Sequence, residues 1–198
     1  MNRSWKGLII SLLILGLFLG GCSREGIQPP EENPGNGSEI TPEEEATEVE
    51  VPGEIEGSLA PVLELKNQRG EAVSLGKRAD KPVVLTFWVQ WNETAINQLK
   101  ILENVYALLK NQVDFLGVHA SAFDDLSQGE MEALLTEIDC SYDILSDEDA
   151  EAQQAYFVGS FPTTFLIDSE GKITATYTSL IEEDELLEAL EKLLEGTP

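Results

Sequence analysis

The chain has 198 residues, a length that allows one domain of ordinary size plus terminal segments. Apolar residues make up 42% of it, which is enough for a hydrophobic core and argues against disorder of the whole chain. The formal net charge is -25 at pH 7, so we expect no nucleic-acid partner, because phosphates require a basic surface. The same charge disfavours electrostatic adhesion to anionic lipid.

The amino-terminal segment is typical of a bacterial lipoprotein signal. Arg3 and Lys6 precede an uncharged apolar run that is too short for a comfortable membrane span. The run ends in Leu19-Gly20-Gly21-Cys22, which resembles the lipobox, where the cysteine receives diacylglycerol and the signal is cut before it. The sequence therefore predicts a signal peptide over 1–21 and a lipidated Cys22 that anchors the protein in membrane lipid, at the extracytoplasmic face of a bacterial cell membrane. An uncleaved anchor or a plain signal peptide are the alternatives.

Residues 22–57 carry the lipidated cysteine and a linker. The stretch is rich in proline, glycine and glutamate and has few apolar side chains to fold around. Such a composition predicts an acidic, disordered linker that holds the following domain clear of the membrane. The domain itself is predicted to span 58–198.

From residue 58 onward, strand and helix patterns alternate. Two short strands flank a turn containing Gly70, which predicts a hairpin, and the apolar run before Trp88 predicts a central strand buried on both faces. Ser127 and Glu130 have the spacing of a capping box at a helix start. The alternation predicts an α/β domain of three layers with a mixed sheet. The predicted elements are strands 62–66, 72–75, 82–88, 113–118, 142–145, 163–167 and 172–177, and helices 96–109, 127–138, 150–156 and a carboxyl-terminal amphipathic helix.

Two segments carry a resemblance to a known family. Residues 87–95, Phe-Trp-Val-Gln-Trp-Asn-Glu-Thr-Ala, resemble the F-W-x-x-W-C-x-x-C active-site segment of thioredoxin-like proteins, and residues 159–168 resemble the cis-proline loop. The chain resembles the extracytoplasmic TlpA/ResA-like branch, the redoxin or AhpC/TSA-related proteins. The resemblance implies a thioredoxin-like three-layer sandwich, with a mixed central sheet flanked by helices and an N-terminal β-hairpin. It also implies a cis peptide bond between Phe161 and Pro162.

The residues that carry redox chemistry in this family are replaced. Asn92 stands at the position of the nucleophilic cysteine and Ala95 at that of the resolving cysteine. Gln98 and Lys100 stand where the extracytoplasmic branch commonly has Glu and Pro, and Thr86 stands where soluble thioredoxins have a buried Asp. Disulfide exchange requires thiolate attack on sulfur, which an amide and a methyl group cannot perform. The sequence therefore predicts a degenerate, non-catalytic site.

Binding of a peptide or protein is a function that a thioredoxin-like fold without the redox cysteines can still perform. The family's cis-proline loop pairs with an extended peptide, which makes Trp91, Asn92, Phe161, Pro162 and Thr163 the candidate binding residues. We therefore expect a membrane-anchored, redox-inactive module that binds a peptide or an envelope protein. A passive spacer without a specific partner is a further alternative.

Cys140 is the only thiol left if Cys22 is lipidated, and it defines the enzymatic alternative. A thiol-disulfide oxidoreductase or antioxidant role would have to use Cys140 or a partner's thiols. Cysteine at such a position is more often a small hydrophobic residue, and the neighbouring Asp139 and Asp143 are expected to raise its pKa. A peroxiredoxin site is disfavoured because no cysteine lies near Trp91.

We expect neither a cofactor nor a metal ion. His119, the one histidine, is interpreted as a hydrogen-bonded or exposed side chain rather than a ligand, since no second soft ligand is near in sequence. The acidic residues Asp147, Glu148 and Asp149 lack the spacing of a calcium loop and are interpreted as a helix start.

Overall fold

The computed structural model describes residues 55–76, 78 and 81–196. The predicted signal peptide, Cys22 and the linker as far as residue 54 lie outside these described residues. Ile55, Glu56 and Gly57, which the sequence assigned to the linker, contact the domain. The Gly57 N–H donates to the Ile173 carbonyl oxygen at 2.7 Å, and a Glu56 carboxylate oxygen accepts from the Thr176 N–H at 2.7 Å.

The described residues form one seven-stranded mixed sheet with the order β2-β1-β5-β4-β3-β6-β7. Strand β3 pairs in parallel with β4, and β4 in parallel with β5, while the other pairs are antiparallel. The predicted mixed sheet with an N-terminal hairpin is confirmed. The strands are β1 Glu64–Asn67, β2 Ala72–Ser74, β3 Val83–Trp88, β4 Asp114–His119, β5 Asp143–Ser146, β6 Thr163–Ile167 and β7 Ile173–Tyr177.

Helices cover both faces of the sheet, so the three-layer architecture is also confirmed. All six residues of β3 are buried, and successive side chains point to opposite faces. Val84 and Trp88 belong to the core beneath α1, α2 and α4, whereas Val83, Leu85 and Phe87 belong to the core on the other face. The helices are α1 Glu93–Leu109, α2 Gln128–Glu137, α3 Glu151–Ala155 and α4 Glu183–Glu195, with a short 3-10 turn at Ser121–Phe123.

The first turns of α2 and α3 are capped in different ways. Helix α2 has the predicted capping box, in which Ser127 and Glu130 satisfy each other's backbone N–H groups. Helix α3 is different, because Ala150 precedes it in the left-handed region at φ 56° and offers no side-chain cap. The buried Asp147 carboxylate supplies the cap instead, accepting from the N–H groups of Ala152 at 3.2 Å and Gln153 at 2.9 Å. This acidic residue is therefore part of the helix start.

Candidate functional site

The candidate site lies where β3 ends and α1 begins. The connection, residues 89–92, is called the site loop below. Asn92 is the N-cap of α1, with extended backbone angles, and its side-chain oxygen accepts from the N–H groups of Thr94 at 2.9 Å and Ala95 at 3.4 Å. Asparagine is among the best N-cap residues because its side chain satisfies backbone N–H groups that the first helical turn leaves unpaired. The nucleophile's position thus holds a helix cap.

The same side chain also reaches the second landmark of the site. The Asn92 Nδ2 group donates a 2.8 Å hydrogen bond to the carbonyl oxygen of Phe161. The Phe161–Pro162 peptide bond is cis, as the sequence predicts. The amide therefore joins the start of α1 to the loop that precedes β6, and both ends of the Asn92 side chain have partners.

Two further replaced positions, Ala95 and Gln98, are buried. Ala95, at the resolving position, has no exposed surface and packs in the core beneath α1. Gln98 is also fully buried, where its side-chain oxygen accepts from the Ile181 N–H at 2.8 Å and its amide donates to the Ile181 carbonyl oxygen at 3.4 Å. Gln98 thereby fixes the segment before α4 against α1. Neither residue presents a nucleophile or an exposed acid.

Thr86 occupies the position where soluble thioredoxins carry a buried carboxyl group. Its hydroxyl oxygen lies 2.8 Å from that of Thr164 on the adjacent strand β6, and both side chains are buried. Thr86 and Thr164 are directly paired in the register of the two strands. Two hydroxyls that satisfy each other do not carry a titratable proton at neutral pH, so this pair offers no general acid or base.

The five candidate binding residues differ in exposure. Trp91 is 64% exposed, Asn92 and Phe161 are half-buried, and Pro162 and Thr163 are buried. The Thr163 hydroxyl donates to the Ser160 carbonyl oxygen at 2.8 Å. The structure therefore brings all five together, but side-chain recognition is open only to the first three.

Three aromatic rings, one of them from the site loop itself, lie together at the surface. The rings of Trp91 and Phe161 meet edge to face with centroids 6.4 Å apart, and the Trp91 Nε1–H donates to the Phe123 carbonyl oxygen at 3.4 Å. Phe123 is itself 57% exposed. We call Trp91, Phe123 and Phe161 the aromatic face. Phe123 was not expected in the site, because it lies more than thirty residues from Trp91 in a short 3-10 turn.

The two tryptophans near the site differ in exposure. Trp88 is fully buried, whereas Trp91 is exposed. As the last residue of β3, Trp88 points into the core shared with α1, and its ring contacts that of His119 at 4.8 Å between centroids. Trp91 lies beyond the strand and is therefore the only exposed tryptophan of the described residues.

A buried pair beneath the site loop holds its backbone. The Asp124 carboxylate accepts from the Gln90 N–H and lies 3.1 Å from the His119 Nε2 atom. Burial lowers the pKa of His119, while the hydrogen bond and charge of Asp124 act in the opposite direction. His119 is thus the hydrogen-bonded histidine that the sequence favoured. The role of Asp124 was missed, because an aspartate in a loop gives no sequence pattern that could assign its partner.

Cys140 lies away from the site. Its neighbour Ser141 donates its N–H to the Glu103 carboxylate at 2.8 Å, and Glu103 is eleven residues after Asn92 on α1, about 16 Å along the helix axis. Burial and the nearby Glu103 raise the pKa of the half-buried thiol to about 12, with a smaller contribution from Asp143. The expected direction is correct, but Asp139 does not contribute to it. Such a thiol is almost entirely protonated at neutral pH.

The part of the chain that the structure describes has neither a metal-binding cluster nor a membrane-spanning helix. Within 55–76, 78 and 81–196, no three or more His, Cys, Asp or Glu side chains are grouped to hold a metal ion. No helix in that part of the chain combines the length and apolar character needed to cross a membrane.

Comparison with known proteins places the chain in a family. The profile of the AhpC/TSA family matches residues 57–176, which is more than half of the chain. The chain belongs to the AhpC/TSA family. Among the relatives of this AhpC/TSA protein, the thiol-disulfide oxidoreductase ResA of Bacillus subtilis is 30% identical over 129 residues, or 65% of this chain and 70% of ResA. The thioredoxin-like protein YneN of Bacillus subtilis is 30% identical over 138 residues, or 69% of this chain and 79% of YneN.

Solved structures of thioredoxin-like proteins share the fold. StoA from Bacillus subtilis superposes with a TM-score of 0.58 at 21% identity, covering 66% of this chain and 96% of StoA. The exposed lipoprotein thioredoxin Etrx1 from Streptococcus pneumoniae superposes with a TM-score of 0.59 at 24% identity, covering 67% of this chain and all of Etrx1. The AhpC/TSA protein described here thus has a thioredoxin fold of the type found in thiol-disulfide oxidoreductases, with Asn92 and Ala95 at the redox positions.

Proposed function

We propose that this protein is a membrane-anchored, extracytoplasmic thioredoxin-like lipoprotein that has no thiol-disulfide exchange activity and binds a peptide or protein at the aromatic face. The observation that carries the proposal is the hydrogen bonding of Asn92. Its side chain caps α1 and donates to Phe161, so the nucleophile's position has become a structural link. A site maintained for redox chemistry would require a thiolate there.

The properties of the Cys140 thiol support the same conclusion. Cys140 is the neighbour of Ser141, which bonds to Glu103 about 16 Å along α1 from Asn92, and the pKa of its thiol is raised to about 12. A protonated, half-buried thiol is a poor nucleophile. We therefore favour the non-catalytic function over an oxidoreductase or antioxidant function through Cys140.

Binding is supported by the exposure of the aromatic face. Trp91 and Phe123 each expose more than half of their surface, whereas most large apolar residues of the described chain are buried. Aromatic side chains that are exposed beside a loop are frequent anchors in protein interfaces. Because Asn92 uses the Phe161 carbonyl oxygen, recognition through aromatic side chains is favoured over strand-like pairing at that residue.

The anchor is proposed from the lipobox sequence that ends at Cys22. The likeness to a solved protein described as an exposed lipoprotein thioredoxin supports this location. Two acyl chains on a cysteine would provide stable membrane attachment. Labelling of the cells with a palmitate analogue should mark the wild-type protein and not Cys22→Ser, and equal labelling of both would contradict the anchor.

Redox inactivity is tested by insulin reduction with dithiothreitol as the reductant. We expect the wild-type chain and Cys140→Ser to match the rate without protein, while Asn92→Cys/Ala95→Cys accelerates the reaction because the frame around the site is retained. The double variant is the positive control for folding and assay sensitivity. Wild-type activity that disappears in Cys140→Ser would instead establish the enzymatic function.

Binding is tested by capture from a bacterial envelope extract. The wild-type chain should retain a set of proteins that Trp91→Ala loses. Leu108→Ala is the matched control, because Leu108 is 65% exposed and lies near the opposite end of α1. A bound set that is the same for all three proteins would exclude the aromatic face as the binding surface, whereas the absence of any bound protein on the wild-type chain would favour a passive spacer.

A further inference from the structure

We infer that the partner segment which docks on the aromatic face is basic, carrying lysine or arginine beside apolar side chains. This inference rests on the proposed binding function and adds the chemical class of the partner. It follows from the charges that surround Trp91, Phe123 and Phe161 and from the position of the cations elsewhere on the domain.

The exposed charges next to the aromatic face are acidic. Glu93 directly follows Asn92 in the first turn of α1, and Asp125 lies two residues after Phe123; both side chains are exposed. Asp124 adds a further carboxylate below the loop, although its oxygen is already bonded to Gln90 and His119. The rim of the face therefore offers two carboxylates without a described ion-pair partner.

Cations gather at the other end of the sheet. Arg78 and Lys81 precede β3 and lie 3.3 Å and 3.8 Å from the Asp114 carboxylate at the start of β4. Lys172 follows the β6–β7 turn, which lies beside the start of β3 because Ile167 pairs with Val83. The site loop lies at the opposite, carboxyl end of β3.

The positions of the further cations of the described chain differ. Lys110 follows the last residue of α1, and Arg69 bonds to Asp143 at the start of β5 at 2.8 Å. Lys100 is the nearest along the chain, eight residues after Asn92, or about 12 Å along the helix axis. Lys66 pairs with Ser146, which pairs with His119 at the end of β4, and both Lys66 and Arg69 line a cavity that Asp125 also lines. Arg69 is already bonded to Glu71 and Asp143, so the surroundings of the aromatic face keep an excess of negative charge.

Such a surface complements a basic segment. A guanidinium or ammonium group is attracted to the face of an indole ring and to carboxylates at the rim of the same surface. An acidic segment would meet like charges at the rim, which disfavours it. Apolar side chains between the basic residues would cover the rings of Phe123 and Phe161 and exclude water from them.

The test uses two synthetic ten-residue peptides with the full chain in detergent. Both peptides have the same leucine and serine positions, and one carries three arginines where the other carries three glutamates. Binding is followed by nuclear magnetic resonance through the indole N–H signal of Trp91, with the buried Trp88 signal as the internal control. We expect the arginine peptide to shift the Trp91 signal and the glutamate peptide to leave it unchanged.

Two charge variants separate a local effect from the overall acidity of the chain. The double variant Glu93→Gln/Asp125→Asn should lower the affinity for the arginine peptide by about fivefold, as expected for the loss of two exposed charge pairs. Glu191→Gln/Glu195→Gln removes the same charge from exposed positions at the end of α4 and should change the affinity less than about twofold. Equal weakening by both variants would mean diffuse attraction and would overturn the inference.

Failure of the inference differs from failure of the proposed function. If both peptides bind equally and Trp91→Ala abolishes both, the aromatic face is a binding site without a basic preference, so only the inference is overturned. If the arginine peptide binds Trp91→Ala as tightly as wild type and leaves the Trp91 signal unchanged, the aromatic face is not the site and both are overturned.

Discussion

The side-chain amide of Asn92 donates a 2.8 Å hydrogen bond to the carbonyl oxygen of Phe161, although the two residues are 69 positions apart in the sequence. The same side chain caps α1. A residue that replaced a catalytic nucleophile has therefore acquired two structural contacts. This arrangement accounts for a thioredoxin frame that remains well packed around a position without sulfur.

Substitution of Asn92 separates the cap from the link to Phe161. Asn92→Ala removes both and should lower the free energy of unfolding by about 2 kcal/mol, since a cap and a hydrogen bond each contribute roughly 1 kcal/mol. Asn92→Ser retains a capping oxygen and loses the link, so we expect a loss of about 1 kcal/mol. Urea denaturation measures both values. Equal stabilities of Asn92→Ser and wild type would show that the Phe161 bond contributes nothing.

The hydroxyl pair of Thr86 and Thr164 should behave as a coupled unit. Thr86→Val leaves the buried Thr164 hydroxyl without its described partner and should cost about 1–3 kcal/mol of unfolding free energy. Thr86→Val/Thr164→Val removes both polar groups at nearly constant volume and should be close to wild type. A double-mutant cycle in urea gives the coupling energy. Strictly additive losses would refute a mutual hydrogen bond.

His119 should make the stability of the protein depend on pH. Burial lowers the pKa of His119 from its usual 6.5, so the unfolded chain binds a proton more readily than the folded one. Its stabilising contribution is therefore complete above pH 6.5 and is lost as the pH falls towards the pKa of the folded state. The urea midpoint of the wild-type protein should therefore decrease as the pH is lowered from 7.5 to about 5. This pH range lies above the one in which carboxylates mainly titrate.

The control for this dependence is His119→Gln, which cannot titrate. Its overall stability is expected to fall because the contact with Trp88 changes, but its midpoint should vary less with pH over the same range. The informative quantity is thus the slope of the urea midpoint against pH rather than the absolute stability. A variant with the wild-type slope would assign the pH dependence to other groups.

Cys140 should react slowly with thiol reagents in the folded protein. Raising its pKa from 9.0 to about 12 reduces the thiolate fraction at pH 8 about a thousandfold, and partial burial slows access further. The measurement is the rate of reaction with Ellman's reagent, with and without urea, in a Cys22→Ser background so that only one thiol is present. Comparable rates in both conditions would contradict the raised pKa and reopen a reactive role.

Local patterns allowed much of the fold to be predicted. The nearly continuous apolar run of β3, the capping box at Ser127 and the alternating strands and helices each reflect short-range physics, so their type and approximate bounds agree with the structure. The predicted helix start at α3 is present, but its cap comes from Asp147, four residues before the first helical residue, rather than from an adjacent position.

The sequence by itself determined which side chains stand at the family's redox positions, since the identities of Asn92, Ala95 and Gln98 are read without coordinates. The tertiary structure alone decided what these residues do instead. Asn92 bonds to Phe161, and Gln98 to Ile181, through contacts between segments that are distant along the chain. Such contacts depend on how the strands are ordered and packed, and no local periodicity specifies them.

The same distinction applies to the aromatic face and its support. The sequence indicated Trp91 as a candidate, but the exposure of Phe123 beside it and the position of Asp124 below Gln90 followed only from the fold. The reason is that β3 and β4 run in parallel, so the segments that follow them emerge at the same end of the sheet. That shared end brings residues from two separate loops into one surface.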